Sequence, residues 1–169
     1  MGDQPELLAA LRQAIAAEVQ GQHFYLMAAR STEDPKGREV FERLAAEEAL
    51  HQQFLRRQHQ AMQTTGRADP ALRLTPPEPP SGPHPIFSPS LRDRIGQAHF
   101  EMTALSVGIQ LEQNAEGFYR EQARRAGDDE LGAFFLRLAE WEAGHYRALL
   151  AQQDALQKDY WSAGGFAPF

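Results

Sequence analysis

Apolar residues recur at spacings of three and four along two long stretches of the chain, and neither stretch shows the alternation of a strand. Both are rich in Ala, Leu, Glu, Gln and Arg, the good helix formers. Between them, eight of the 11 prolines lie from Pro70 to Pro89, and the run Pro76-Pro77-Glu78-Pro79-Pro80-Ser81-Gly82-Pro83 cannot be helical. Asp34 followed by Pro35 is an N-cap with proline at the first helical position, which predicts helices over 4–31 and 36–63. Gly127, then Asp128 or Asp129 as the next cap, predicts helices over 90–126 and 129–158. The expected architecture is all-α and a single domain over 1–169. It consists of a helix hairpin 4–63, a Pro-rich crossover 64–89, a second hairpin 90–158 and an aromatic, glycine-rich tail 159–169.

The two hairpins repeat each other. Sliding the first onto the second by 94 positions aligns Ile15 with Ile109, Glu18 with Glu112, Tyr25 with Tyr119, Phe41 with Phe135, Glu48 with Glu142 and His51 with His145. The match extends to Asp34 and Asp128. Two repeated hairpins joined by one long connection make a four-helix bundle with the connectivity of ferritin-like folds.

Heptad steps give each helix an inward seam. The first reads Leu8, Leu11, Ile15, Glu18, Gln22, Tyr25 and the second Phe41, Leu44, Glu48, His51, Leu55. The third reads Met102, Leu105, Ile109, Glu112, Glu116, Tyr119 and the fourth Phe135, Leu138, Glu142, His145, Leu149. Every seam turns polar at mid-length. Buried carboxylates lose several kcal/mol of hydration each unless something neutralises them. No lysine or arginine lies on these seams, whereas two divalent cations carry +4 against the −4 of Glu18, Glu48, Glu112 and Glu142. The Glu48-x-x-His51 and Glu142-x-x-His145 pairs each put both side chains on one helical face. Glu18 and Glu112, from the two other helices, could close the outer positions, and glutamates at the centre could bridge both ions. Hard oxygen ligands with one imidazole per metal suit iron or manganese, with zinc a possible substitute.

Composition narrows the chemistry. There is no cysteine, which excludes thiolate-held metal within these residues and any cysteine nucleophile. The net charge is −6 and the arginine pairs are isolated, so nucleic acid is not an expected partner. The acidic start and the lack of any run of 18 apolar residues leave no expected membrane partner, and the expected location is the cytoplasm.

Phe24-Tyr25 seven residues after Glu18, then Thr32-Glu33-Asp34-Pro35, then Leu44-Ala45-Ala46-Glu47-Glu48-Ala49-Leu50-His51, resembles the first hairpin of the rubrerythrin-like, ferritin-like diiron-carboxylate proteins. The second hairpin repeats it through Glu112, Phe118-Tyr119 and Leu138-Ala139-Glu140-Trp141-Glu142-Ala143-Gly144-His145. The resemblance implies a non-haem diiron site that cycles between diferrous and diferric states and reduces hydrogen peroxide or dioxygen. Two departures stand out. Rubrerythrins proper feed the site from a rubredoxin domain, which needs cysteine, so the electron donor is expected to be external. They also carry a further glutamate three residues after the third-helix ligand; here that position is Ala115, and Glu116, one residue on, is a candidate substitute ligand.

The predicted metal ligands are thus Glu18, Glu48, His51, Glu112, Glu142 and His145, with Glu116 in addition. Tyr25 and Tyr119, two turns along the seam from Glu18 and Glu112, are candidate catalytic-site residues that hydrogen-bond the metal-binding carboxylates. Glu47 and Glu140, off the seam, are expected to matter far less, and Trp141 reads as packing. The expected cofactor is two iron ions without haem, and the expected assembly is a homodimer or higher homo-oligomer. Two other functions fit the same residues: a ferroxidase or iron-storage protein, and a metal-stabilised helical interaction module without turnover.

Overall fold

The computed structural model describes residues 4–75, 86–127 and 129–164. Four long helices dominate them: α1 (Gln4–Ser31), α2 (Pro35–Thr65), α4 (His99–Ala126) and α5 (Glu130–Ala163), with a short α3 (Pro89–Asp93) after the crossover. Helix α1 pairs with α2 and α4 with α5 as hairpins, and α1 lies against α4. The middle of the expected crossover (76–85), Asp128 and the end of the expected tail (165–169) lie outside the described residues.

The helix ends follow from local chemistry. Asp34 stands in extended backbone and its Oδ2 accepts the Gly37 N–H at 2.8 Å, with Pro35 supplying the fixed φ of the first turn. At the other end Gly66 adopts φ +72° and returns its N–H to the Met62 carbonyl at 3.1 Å. Gly127 ends α4 at φ +84°, and Asp129 caps α5 by accepting the Gly132 N–H at 2.8 Å. The cap of α5 therefore sits one position past the repeat partner of Asp34.

The helix expected over 90–126 is broken. Arg94 leaves helical geometry, a single 3-10 turn covers Ile95–Gln97, and α4 starts at His99. The kink turns Leu91, Ile95 and Ala98 together into the core and sets the 3-10 turn against α5. Helix α5 in turn runs to Ala163, beyond the expected 158.

Two apolar clusters fill the bundle, one on either side of the polar layer. One gathers Leu11, Leu55, Phe134, Phe135 and Leu138 with Leu72 and Leu74 from the start of the crossover. The other gathers Phe41, Leu44, Leu105 and Leu149 with Ile86 and Phe87 from its end. The crossover is pinned at both ends by repeat partners: Gln58 exchanges hydrogen bonds with the backbone of Asp69, and Gln152 accepts the Ile86 N–H at 2.8 Å. The Ser88 N–H and hydroxyl both bond the buried Asp34, so one carboxylate caps α2 and holds the returning chain. No described helix is long and apolar enough to cross a membrane.

Candidate metal centre

The seams of α2 and α5 bury the residues expected of them, Phe41, Leu44, Glu48, His51 and Leu55 on one helix and Phe135, Leu138, Glu142, His145 and Leu149 on the other. The buried stripes of α1 and α4 are turned slightly. Ala14 and Gly21 are buried where Ile15 and Gln22 were expected, and Gly108 where Ile109 was. The small residues face the neighbouring helices closely: a Cβ on Gly21 would stand 3.2 Å from Glu48 Oε2, and one on Gly108 would stand 3.3 Å from the Tyr25 hydroxyl. Glu18 and Glu112 remain inward, each 2% exposed.

Six side chains thereby converge in one layer. Glu18, Glu48, His51 and Glu142 place ligand atoms within 4.8 Å of one another, and so do Glu48, Glu112, Glu142 and His145. Glu48 and Glu142 are common to both groups, while Glu18 with His51 and Glu112 with His145 are private to one each. This is the arrangement of two half-sites sharing two carboxylates. The histidines point the same nitrogen inward. Nδ1 of His51 lies 2.9 Å from Glu142 Oε1 and 3.3 Å from Glu18 Oε2, and Nδ1 of His145 lies 3.1 Å from Glu142 Oε2 and 3.4 Å from Glu112 Oε2.

The donor set fits a pair of divalent ions. Donors around one ion at about 2.1 Å are at most about 4.2 Å apart, so only a slight contraction of each group is needed. Glu142 Oε1 is buried and lies 2.9 Å from His51 Nδ1, so in the absence of metal its charge is met by the imidazole, and a cation would take the place of that proton. Four carboxylates offset two divalent charges, and imidazole with carboxylate suits iron or manganese.

Without metal the layer is neutralised by protons instead. Burial and the neighbouring charges of Glu142 and Glu18 push Glu48 well above the usual carboxylate range. Burial and Glu142 raise Glu112 to about 7, against the opposing pull of His145. Burial opposes the charging of both histidines, but the carboxylates around them prevail: Glu142 leads in pushing His51 up to about 10, and Glu112, Glu142 and Glu47 hold His145 well above its ordinary value. Glu142 has the reverse balance, its burial outweighed by His51 and His145, which keep it far below the usual range.

Tyr25 and Tyr119 reach the layer across the bundle. The Tyr25 hydroxyl donates to Glu112 and the Tyr119 hydroxyl to Glu18, each on the opposite repeat. Burial and these carboxylates raise both phenols, so they remain donors. Each ring stacks on the repeat-related phenylalanine, Tyr25 on Phe41 and Tyr119 on Phe135.

Glu116 is not part of the cluster. It is 24% exposed and its Oε1 accepts from Arg120 Nε at 2.8 Å, one turn along α4. The one-residue rotation of the α4 stripe explains this, because a step of four from Glu112 leaves the buried face. Glu47, expected to be immaterial, does reach the centre: its Oε2 accepts from His145 Nε2 at 2.7 Å and from Trp141 Nε1 at 2.8 Å. Its carboxyl is held below the ordinary range; burial works against this, and the bond from His145 prevails. The available signal was the repeat itself, since Glu47 and Trp141 are counterparts 94 positions apart.

Residues 9–79 match the family model described as Rubrerythrin, a span that takes in most of α1, all of α2 and the first part of the crossover. No curated protein and no solved structure matches the chain. The matched segment carries Glu18, Glu48 and His51, and the all-α bundle with its buried carboxylate–histidine layer fits a ferritin-like diiron protein.

Proposed function

We infer that this rubrerythrin-like chain is a non-haem diiron oxidoreductase that reduces hydrogen peroxide or dioxygen with electrons from an external donor. The observation that carries the reading is the sharing of Glu48 and Glu142 between two otherwise separate groups of candidate ligands, an arrangement that would suit two ions side by side rather than one alone. A bound pair of irons supplies two-electron transfer to an O–O bond, the chemistry that neither a single ion nor the side chains provide.

The side chains do the rest. Glu18 and His51 on one side and Glu112 and His145 on the other would each hold one ion, and Glu48 with Glu142 would serve both. Tyr25 and Tyr119 fix the private carboxylates in orientation through their hydroxyls. The apolar clusters above and below keep bulk water from the layer. In the metal-free protein burial and the charge of Glu142 hold the Glu112 carboxyl up at about 7, so a metal ion bound there would displace a proton. With no cysteine in these residues, the reductant of this reading lies outside them. Assembly as a homodimer or larger homo-oligomer and a cytoplasmic location belong to the same reading.

Anaerobic titration with ferrous iron, followed by peroxide and watched by absorbance, tests it. The expected result is saturation at two irons per chain, then oxidation by about one equivalent of peroxide per pair and restoration on adding reductant. Continued uptake of excess ferrous iron with mineral growth would assign a ferroxidase instead. Loading with no consumption of peroxide or dioxygen under any reductant would leave a metal-stabilised helical module.

A further inference from the structure

The two half-sites carry the same ligands and differ in what stands behind their histidines. At His145 the Nε2–H is bonded to Glu47 Oε2 at 2.7 Å, and the same oxygen accepts the indole N–H of Trp141 at 2.8 Å. A strict repeat would put a carboxylate at position 141 to serve His51 in the same way. The chain has Trp141 there. Its ring meets the His51 ring edge-on at 4.5 Å, and His51 Nε2, fully buried, has no hydrogen-bond partner among the described residues.

An imidazole that binds metal through Nδ1 must keep its proton on Nε2. For His145 that proton has a charged acceptor, which fixes the tautomer, orients the ring and makes Nδ1 a better donor to a cation. The equivalent proton of His51 faces an indole ring. Carboxylates in the position of Glu47 are typically worth about 10–100-fold in metal affinity.

Resting on the diiron reading, we propose that Glu47 is a positioning residue that makes the Glu112–His145 half-site the tighter one, so that the first ion settles there and the Glu18–His51 half-site fills second. Trp141 contributes by withholding an acceptor from His51 and by donating to Glu47, which anchors the carboxylate in place.

The test is a Zn(II) titration of the whole metal-free chain, followed by calorimetry and by nitrogen-15 spectra of the imidazoles, assigned through His51→Gln and His145→Gln. At one equivalent the His145 ring is expected to show the bound shifts while His51 stays free. Glu47→Gln keeps the shape and removes the charge; the tight step is expected to weaken about 10–100-fold, with one equivalent then shared between the two histidines. A purely structural role for Glu47 would alter the melting temperature of the metal-free protein without redistributing the ion. Equal shifts of both rings in the wild-type chain at one equivalent, or filling of His51 first, would overturn the ordering while leaving a two-metal site intact. Failure to bind Zn(II) at all would overturn the diiron reading and the ordering together. Should Glu47→Gln not fold, the wild-type spectra decide alone.

Discussion

Tyr25 on α1 donates its hydroxyl proton to Glu112 on α4, and its repeat counterpart Tyr119 on α4 does the same for Glu18 on α1. Each half of the bundle thus orients a carboxylate supplied by the other, and the two hairpins are tied through the layer where the metal ligands converge. Tyr25→Phe and Tyr119→Phe keep the stacked ring but leave a buried carboxylate short of a donor. Each is expected to cost about 1–3 kcal/mol in urea unfolding of the metal-free protein and about 10–100-fold in metal affinity. Unchanged values for both variants would mean that the phenols only fill space.

Shared and private ligands make different predictions. Glu48→Gln or Glu142→Gln removes a carboxylate from both groups and is expected to abolish retention of both ions, whereas Glu18→Gln or Glu112→Gln spoils one group and leaves roughly one ion per chain. Metal content after desalting measures the difference. If all four variants keep the same amount of metal, the division into half-sites is wrong.

The ligand stripes on α2 and α5 were legible because large apolar residues line the same face as the ligands, so Phe41 and Leu55 bracket Glu48 and His51 unambiguously. On α1 and α4 the expected seam holds at Leu11, Glu18, Tyr25, Leu105, Glu112 and Tyr119, but lies one position off at Ile15, Gln22 and Ile109. Where two helices must approach closely the centre of the buried face is small, as at Ala14, Gly21 and Gly108, and the bulky Ile15 and Ile109 sit at its margin. A reading that follows bulk therefore rotates the stripe and draws in Glu116. Glu47 was hidden for another reason: both of its partners, Trp141 and His145, lie on the other hairpin, and no spacing within one helix reports a contact of that kind.

Stability of the metal-free protein should fall as pH rises through neutrality. Glu112 is raised from its ordinary 4.5 to about 7 and His51 from 6.5 to about 10, so the folded state holds both protons more tightly than the unfolded chain. Their contributions are complete below 4.5 and 6.5 and are lost as pH climbs to about 7 and about 10. Glu142 and Glu47, both held low, act at the acid end: their contribution is present above 4.5 and lost on further acidification. Urea unfolding is therefore expected to give greatest stability in mild acid, near about pH 5–6, with a loss of a few kcal/mol by about pH 9. Metal replaces those protons, so stabilisation by added Zn(II) should grow over the same range. A metal-free profile that rises between about pH 6 and about pH 9 would contradict the protonated layer.

Two glycines separate helix propensity from the space the centre needs. Gly117 lies in α4 with nothing within 4 Å of where its Cβ would be, so Gly117→Ala should gain about 0.5–1 kcal/mol from the helix backbone alone and leave metal binding unchanged. Gly21 has the same backbone preference, but its added Cβ would meet Glu48 Oε2 at 3.2 Å and Glu48 Cδ at 3.4 Å. The carboxylate can yield only by turning within a packed layer, away from the position where it serves both half-sites. Gly21→Ala should therefore recover little of that gain, and should weaken binding of both ions, because Glu48 belongs to both groups. Calorimetry with Zn(II) on the two variants, beside unfolding of their metal-free forms, distinguishes the cases. If Gly21→Ala binds metal like the wild-type chain and is as stabilised as Gly117→Ala, the close approach of α1 to Glu48 has no part in shaping the centre.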